Sequence, residues 1–246
     1  MRQVTLTSPG GLDNLKMVEA EKPTPKSDQV VVRVVASSLN YHDLLVALGQ
    51  IQTEDGRVVL SDCAGEIVAV GDAVTRWKVG DTVISCCYPN WIEGPPQYQL
   101  LSFIGDHEDG YSTEYMAISE RSITRTPKGW TMAEAATLPC AGLTAWRALV
   151  DLGNLQTGET VLVQGTGGVS IFALQLAKSM GAKVIATSSS DEKLKRLQDL
   201  GADEVINYKD EPQWGKAVLA KTGGLGVDHV VEVGGAGTLS KSSSSV

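Results

Sequence analysis

Apolar and polar positions follow two different patterns along the chain. Up to about residue 125, short β-branched runs recur: QVVVRVVASSLN over 29–40, EIVAVG over 66–71 and DTVISCCY over 81–88. Turn pairs such as Gly71-Asp72 and Gly80-Asp81 separate them, so the runs predict β-strands. The stretch 89–113 holds Pro95-Pro96 together with Trp91, Tyr98 and Phe103. A loop of that length is either a functional cover or disordered, and its aromatic content favours a cover over part of a cleft.

From about 129 strands and helices alternate. Residues 131–153 read as helix interrupted at Pro139. TVLVQG, KVIATSS, DEVINY and VDHVVEVGG read as strands, with SIFALQLAKSMG, DEKLKRLQDLG and PQWGKAVLAKTGG as the helices between them. Gly181, Gly201 and Gly223 stand where helices end, as C-terminal caps should. This series requires a parallel sheet with right-handed crossovers, and the usual doubly wound order of its four strands is 3-2-1-4. The fold class is therefore α/β: a β-rich unit over 1–128, a four-strand doubly wound unit over 129–238, and a serine-rich end, 239–246, expected to be disordered.

The first strand of that series ends in VLVQGTGGVS, where Gly165, Gly167 and Gly168 open a helix. Glycines there allow a tight turn and let backbone N–H groups approach a pyrophosphate. Ser170 replaces the usual third glycine, and its hydroxyl is one candidate to face the ligand. The second strand ends in VIATSSS, without the acid that takes the ribose hydroxyls of NAD. Ser188, Ser189 and Lys193 are suited to a 2′-phosphate, which predicts NADPH over NADH. The alternative is that Ser190 caps a helix and Lys193 is merely solvated.

Composition narrows the partners. The charge is 21 minus 29, or −8, with no basic block, which argues against nucleic acid and anionic membrane. No apolar stretch approaches the ~20 residues of a membrane span, and the N-terminus lacks a secretory pattern. Cys63, Cys86, Cys87 and Cys140 have no framework spacing, so reduced thiols and a cytoplasmic location are expected.

LNYHDL, GDAVTRWKVGDTVIS, ATLPCAGLTAW, VLVQGTGGVS and LGADEVINY occur in that order. Together they resemble the zinc-independent, quinone-oxidoreductase-like branch of the medium-chain dehydrogenase/reductase superfamily, from near residue 1 to about 238. The resemblance implies a GroES-like domain, then a Rossmann domain, with NADPH between them and hydride transfer to a quinone, enone or carbonyl. It also implies that Asn40 and its neighbours face the nicotinamide or substrate, that Thr144 lies near the nicotinamide, that Gly167, Gly168 and Val169 hold the pyrophosphate, and that Tyr208 lies near the adenine-ribose phosphate. Where zinc-dependent relatives carry their catalytic ligands, this chain has Asn40, Ser61-Asp62 and Cys140, which is too few donors for a catalytic zinc, so no metal is expected.

Carried over in the same way, Tyr41 is a candidate proton donor to an enolate, with His42 beside it and Asp62 as further proton-handling candidates. Core packing for Tyr41 and a structural role for His42 remain open. The resembled enzymes continue past the fourth strand, whereas here HVVEV is followed by GGAGTLSKSSSSV, so the resemblance reads as C-terminally truncated. An exposed fourth strand then invites a homodimer or a partner subunit. Three readings follow: an NADPH-dependent reductase of a small apolar or aromatic substrate; a fold whose NADPH site is vestigial, performing dehydration, isomerisation or cyclisation; or a non-catalytic binding protein. The resemblance favours the first.

Overall fold

The computed structural model describes residues 1–246 and divides them between two units, Met1–Cys140 and Ala141–Val246. The division falls later than the boundary at 128/129 that composition suggests.

In the first unit β1 (Arg2–Leu6) pairs with β2 (Leu15–Glu19), and β3 (Gln29–Ala36) begins the main antiparallel sheet. After β3 comes α1 (Tyr41–Ala47), then β4 (Arg57–Val58), β5 (Ala64–Val70), β6 (Thr82–Ser85), β7 (Tyr115–Ser119), β8 (Ile123–Arg125) and α2 (Met132–Ala135). One sheet runs β2-β1-β4 and the other β7-β3-β5-β6-β8. Alternation in QVVVRVV places Val30 and Val32 in one core with Ile67, Val83 and Tyr111.

The strand-like grammar of the first half predicts no helix at 41–47. One forms because Asn40 leaves β3 in an extended conformation and caps it: the Asn40 side chain accepts the Asp43 N–H, and Asp43 Oδ2 accepts the Asn40 N–H at 2.8 Å. Tyr41 therefore opens a helix and is 75% exposed, which removes the core-packing alternative.

Around the division the chain runs through a helical stretch broken as Pro139 requires. A wide π turn covers Leu138–Gly142, α3 covers Leu143–Trp146, and a second π turn covers Arg147–Leu152. Then follow β9 (Thr160–Gln164), α4 (Gly168–Ser179), β10 (Lys183–Ser188), α5 (Asp191–Asp199), β11 (Glu204–Asn207), α6 (Trp214–Lys221), β12 (His229–Val231) and α7 (Leu239–Ser243). The sheet is parallel in the order β11-β10-β9-β12, which is the expected 3-2-1-4.

Both faces of this sheet are covered, so its strands read as continuous apolar runs. Val161, Val163, Val184 and Ala186 meet α4 and α5 through Ala173, Leu174, Ala177, Leu194 and Leu197. On the other face Leu162, Ile185 and Ile206 meet Trp214 and Val218 of α6. Each valine, leucine or isoleucine among them contributes roughly 1.5–3 kcal/mol by leaving water.

The serine-rich end corrects an expectation. It carries little apolar surface, yet α7 forms, because buried polar partners hold it instead. Gln164 Nε2 donates to Ser242 Oγ at 2.7 Å and to Glu232 Oε2 at 2.7 Å, while Thr238 Oγ1 donates to Glu232 at 2.6 Å. The Val227 N–H donates to the Ser245 carbonyl at 2.8 Å. Burial opposes the Glu232 charge, but the Ser242 and Thr238 hydroxyls, the Gln164 amide and the Gly234 N–H all donate to this carboxylate and hold it down at about 2. β12 lies at the sheet edge, as expected.

Candidate functional site

In the first unit the loop between β3 and α1 converges on Asp62, which is fully buried. Asp62 Oδ2 accepts Ser38 Oγ at 2.6 Å and Asn40 Nδ2 at 2.8 Å, and the Cys140 backbone N–H donates to the same carboxylate. Burial dominates nonetheless and pushes its pKa up to about 6, helped by the nearby Asp43 charge. Asn40 Nδ2 also reaches Ser61 Oγ at 3.2 Å. The structure thus brings Asn40 and Asp62 together, and it spends the whole Asn40 amide on capping α1 and on these bonds. Asn40 thereby braces its neighbours.

His42 takes a different direction. Its Nε2 lies 2.9 Å from Asp106 Oδ2, in a loop 64 residues away along the chain. Asp106 is 4% exposed and also accepts from the backbone N–H of His107, with His107 Nδ1 2.7 Å from Oδ1. Burial pushes the Asp106 carboxyl up, but His42 and His107 outweigh it and hold it below the ordinary range. An ionised Asp106 only accepts, so His42 Nε2 carries the proton and Nδ1 is left without a partner. The His42 ring rests on Phe103 at 4.3 Å between centroids, Phe103 on Tyr88 at 5.0 Å, and Tyr88 on Trp91 at 6.0 Å. Phe103 of the long loop is buried in this row, while Tyr98 is 88% exposed.

In the second unit the residues predicted for a nucleotide fall into two groups. At the end of β9 the chain turns through Gly165, whose φ is +74°, and enters α4 at Gly168 with no side chain capping the helix. A Cβ on Gly165 or Gly167 would meet nothing within 4 Å. The N–H groups of Gly168 and Val169 open the helix into that space, a donor set suited to a pyrophosphate. Ser170 is buried and its Oγ donates to the Gln164 carbonyl at 2.6 Å. It bonds the turn to its own strand and faces no ligand, so that candidate role is corrected.

At the end of β10 Ser188 is 2% exposed, and its carbonyl accepts the Tyr208 N–H at 3.0 Å. Ser189 is half-buried, Lys193 is exposed without an ion pair, and Tyr208 is 40% exposed. Ser190 occupies the N-cap position of α5 but makes no capping bond. Thr144 is exposed on α3.

Sequence reasoning missed Asp106, Ser38 and Cys87. Each acts through a partner distant in sequence, so no local spacing announces it; the nearest signal is the acid-rich run GDHEDG.

Residues 26–128 match the alcohol dehydrogenase GroES-like domain, and residues 168–246 match the zinc-binding dehydrogenase domain. A zinc-type alcohol dehydrogenase-like protein of Schizosaccharomyces pombe is 41% identical over 98% of this chain and 72% of its own length. The chain belongs to the medium-chain dehydrogenase/reductase family. Among other members, the 2-methylene-furan-3-one reductase of Solanum lycopersicum is 36% identical over 86% of this chain, which spans about half (53%) of that enzyme. A quinone oxidoreductase of Pseudomonas syringae pv. Tomato DC3000 superposes with a TM-score of 0.84 at 31% identity, over 100% of this chain and 70% of that one. Family members are dehydrogenases and reductases, so the chain is of oxidoreductase kind. No helix is long and apolar enough to cross a membrane.

The zinc in the domain's name does not fit these residues. At the Asp62 cluster the groups facing one another are hydrogen-bond donors on an acceptor already in use. Cys87 Sγ approaches Asp62 at 4.0 Å as a thiol, held far above the usual range by its bond to Cys140 and then by burial. No three His, Cys, Asp or Glu side chains are grouped to hold an ion. A nicotinamide dinucleotide, by contrast, fits the uncapped turn at 165–169.

Proposed function

We propose that the chain is an NADPH-dependent, zinc-independent reductase of small, apolar α,β-unsaturated carbonyl compounds or quinones. The observation that carries this is the pairing of an open glycine turn at the α4 N-terminus with a β10 end that has no acid. Gly165, Gly167, Gly168 and Val169 would hold the pyrophosphate, Ser189 and Lys193 the 2′-phosphate, and Tyr208 the adenosine edge, with Thr144 toward the nicotinamide. The bound cofactor supplies a hydride.

The protein's part is to position the acceptor and manage the proton. Hydride arrives at the β-carbon, the double-bond electrons move toward the carbonyl oxygen, and a proton must reach the α-carbon or the oxygen. Leu39 and Tyr41, just before His42 in the chain, are exposed and offer apolar surface suited to such substrates. The names of the tomato enone reductase and the bacterial quinone oxidoreductase support the substrate class.

The test is a fluorescence titration with NADPH and NADH, followed by an enone and quinone screen at 340 nm. NADPH should bind at least about tenfold tighter, and Lys193→Ala should remove about that factor for NADPH alone. Equal affinity for both nucleotides would overturn the cofactor assignment.

A further inference from the structure

Asp106 is buried at 4% exposure, and its carboxylate is aimed at two imidazoles. Of these His107 is 65% exposed at the side chain and is already tied to Asp106 by its own backbone N–H. His42 is different. Its side chain is 28% exposed, one ring face rests on Phe103, Nε2 is fixed by Asp106, and Nδ1 has no partner. Fixing one nitrogen with a buried carboxylate selects the tautomer and the ring orientation, and so directs the other nitrogen. The Asp106 backbone is held in turn, because Thr53 Oγ1 donates to its carbonyl at 2.5 Å. Close by in sequence, Leu39 is 84% exposed and Tyr41 75% exposed. An oriented imidazole with a free nitrogen is what proton transfer requires.

We infer that His42 is the residue that moves the proton at the substrate α-carbon, through Nδ1, and that Asp106 is its positioning residue. The inference deepens the reductase reading and rests on it for the substrate class. In the reductive direction the imidazolium Nδ1–H gives its proton to the α-carbon of the enolate. The enolate C=C electron pair forms the new C–H bond, the carbonyl re-forms, and neutral imidazole remains with Nε2–H on Asp106. In reverse, the Nδ1 lone pair takes the α-proton of a saturated ketone, and the C–H electrons pass into the enolate. No oxidant or reductant enters that half.

The reverse half gives a test separate from hydride transfer. The intact protein is incubated in D2O with a small saturated ketone and no nucleotide, and α-proton exchange is followed by NMR against ketone concentration. NADPH oxidation with the matching enone is measured in parallel. Wild type should catalyse exchange, and His42→Gln should lower that rate at least 100-fold. Asp106→Asn should lower kcat for exchange about tenfold with the KM for the ketone unchanged, a split that a merely structural role would not give. His107→Gln, on the same carboxylate, should stay within threefold of wild type.

The other charges facing His42 are Asp43, its neighbour on α1, and His107 across Asp106, with Tyr88 behind Phe103. None of the three substitutions alters Asp43 or Tyr88. No exchange by wild type, or exchange unchanged in His42→Gln, overturns the inference. NADPH oxidation without His42-dependent exchange leaves the reductase standing and this inference fallen. Exchange without NADPH oxidation does the opposite.

Discussion

The Asp62 cluster of the first unit and the glycine turn of the second present polar groups in opposite ways. Around Asp62 every polar atom is a side chain or N–H brought from a distant part of the chain, and the carboxylate is fully enclosed. At the α4 N-terminus the Gly168 and Val169 backbone N–H groups have no side-chain cap and lie beside open space at Gly165 and Gly167, with no charge among them. The first arrangement is costly to disturb, because a buried donor that loses its acceptor cannot turn to water. The second is cheap to disturb structurally and easy to spoil for a ligand. A site for protons and a site for phosphate thus place different demands on the fold.

The largest break in that comparison is Asp62→Leu. It strands the donors on Ser38, Asn40 and Cys140, each at a cost of about 1–3 kcal/mol, which a urea unfolding titration at pH 7 should show. A loss below about 1 kcal/mol would show that the cluster relaxes onto water.

A pH series sharpens the same point. The folded pKa of Asp62 rises from 3.8 to about 6, so between those values the folded chain binds more protons than the unfolded chain. The Asp62 contribution to stability therefore falls as pH rises through that window, by roughly 3 kcal/mol in all. Asp106 and Glu232, both held low, slope the other way: their stabilisation is present above the unfolded pKa and lost as pH falls toward their folded values. The difference between wild type and Asp62→Asn isolates the Asp62 part; a difference that stays flat from pH 4 to 6 would contradict the raised value.

The smallest change in free energy is expected at the turn. Gly167 has φ −74° and free space around a Cβ, so Gly167→Asp should alter stability by no more than about 0.5 kcal/mol. It should nonetheless weaken NADPH on the order of tenfold to a hundredfold, by placing a carboxylate against the pyrophosphate. Unchanged affinity in the fluorescence titration would remove the turn from the site.

The second unit was the more legible in sequence. Its valine-rich strands, Gly181 and Gly201 helix ends and the 165–168 turn are local patterns, and its strand order follows from right-handed crossovers. Even there, burial had to be seen: nothing in VIATSSS distinguishes buried Ser188 from half-buried Ser189. The serine-rich end was misjudged for the same reason, since Ser242 is ordered by Gln164 and Glu232 and not by its own composition.

The sequence by itself determined the periodicities, the glycine turn, the missing acid after β10 and the likeness of ordered motifs to one family. Those features depend on residues within a few positions of one another, where chain geometry alone sets what is near. Only the tertiary structure decided that Asn40 caps and braces, that Asp62 is an enclosed acid, and that His42 is aimed by Asp106. Their partners lie 22 and 64 residues away, and which distant groups meet is settled by how the sheets pack.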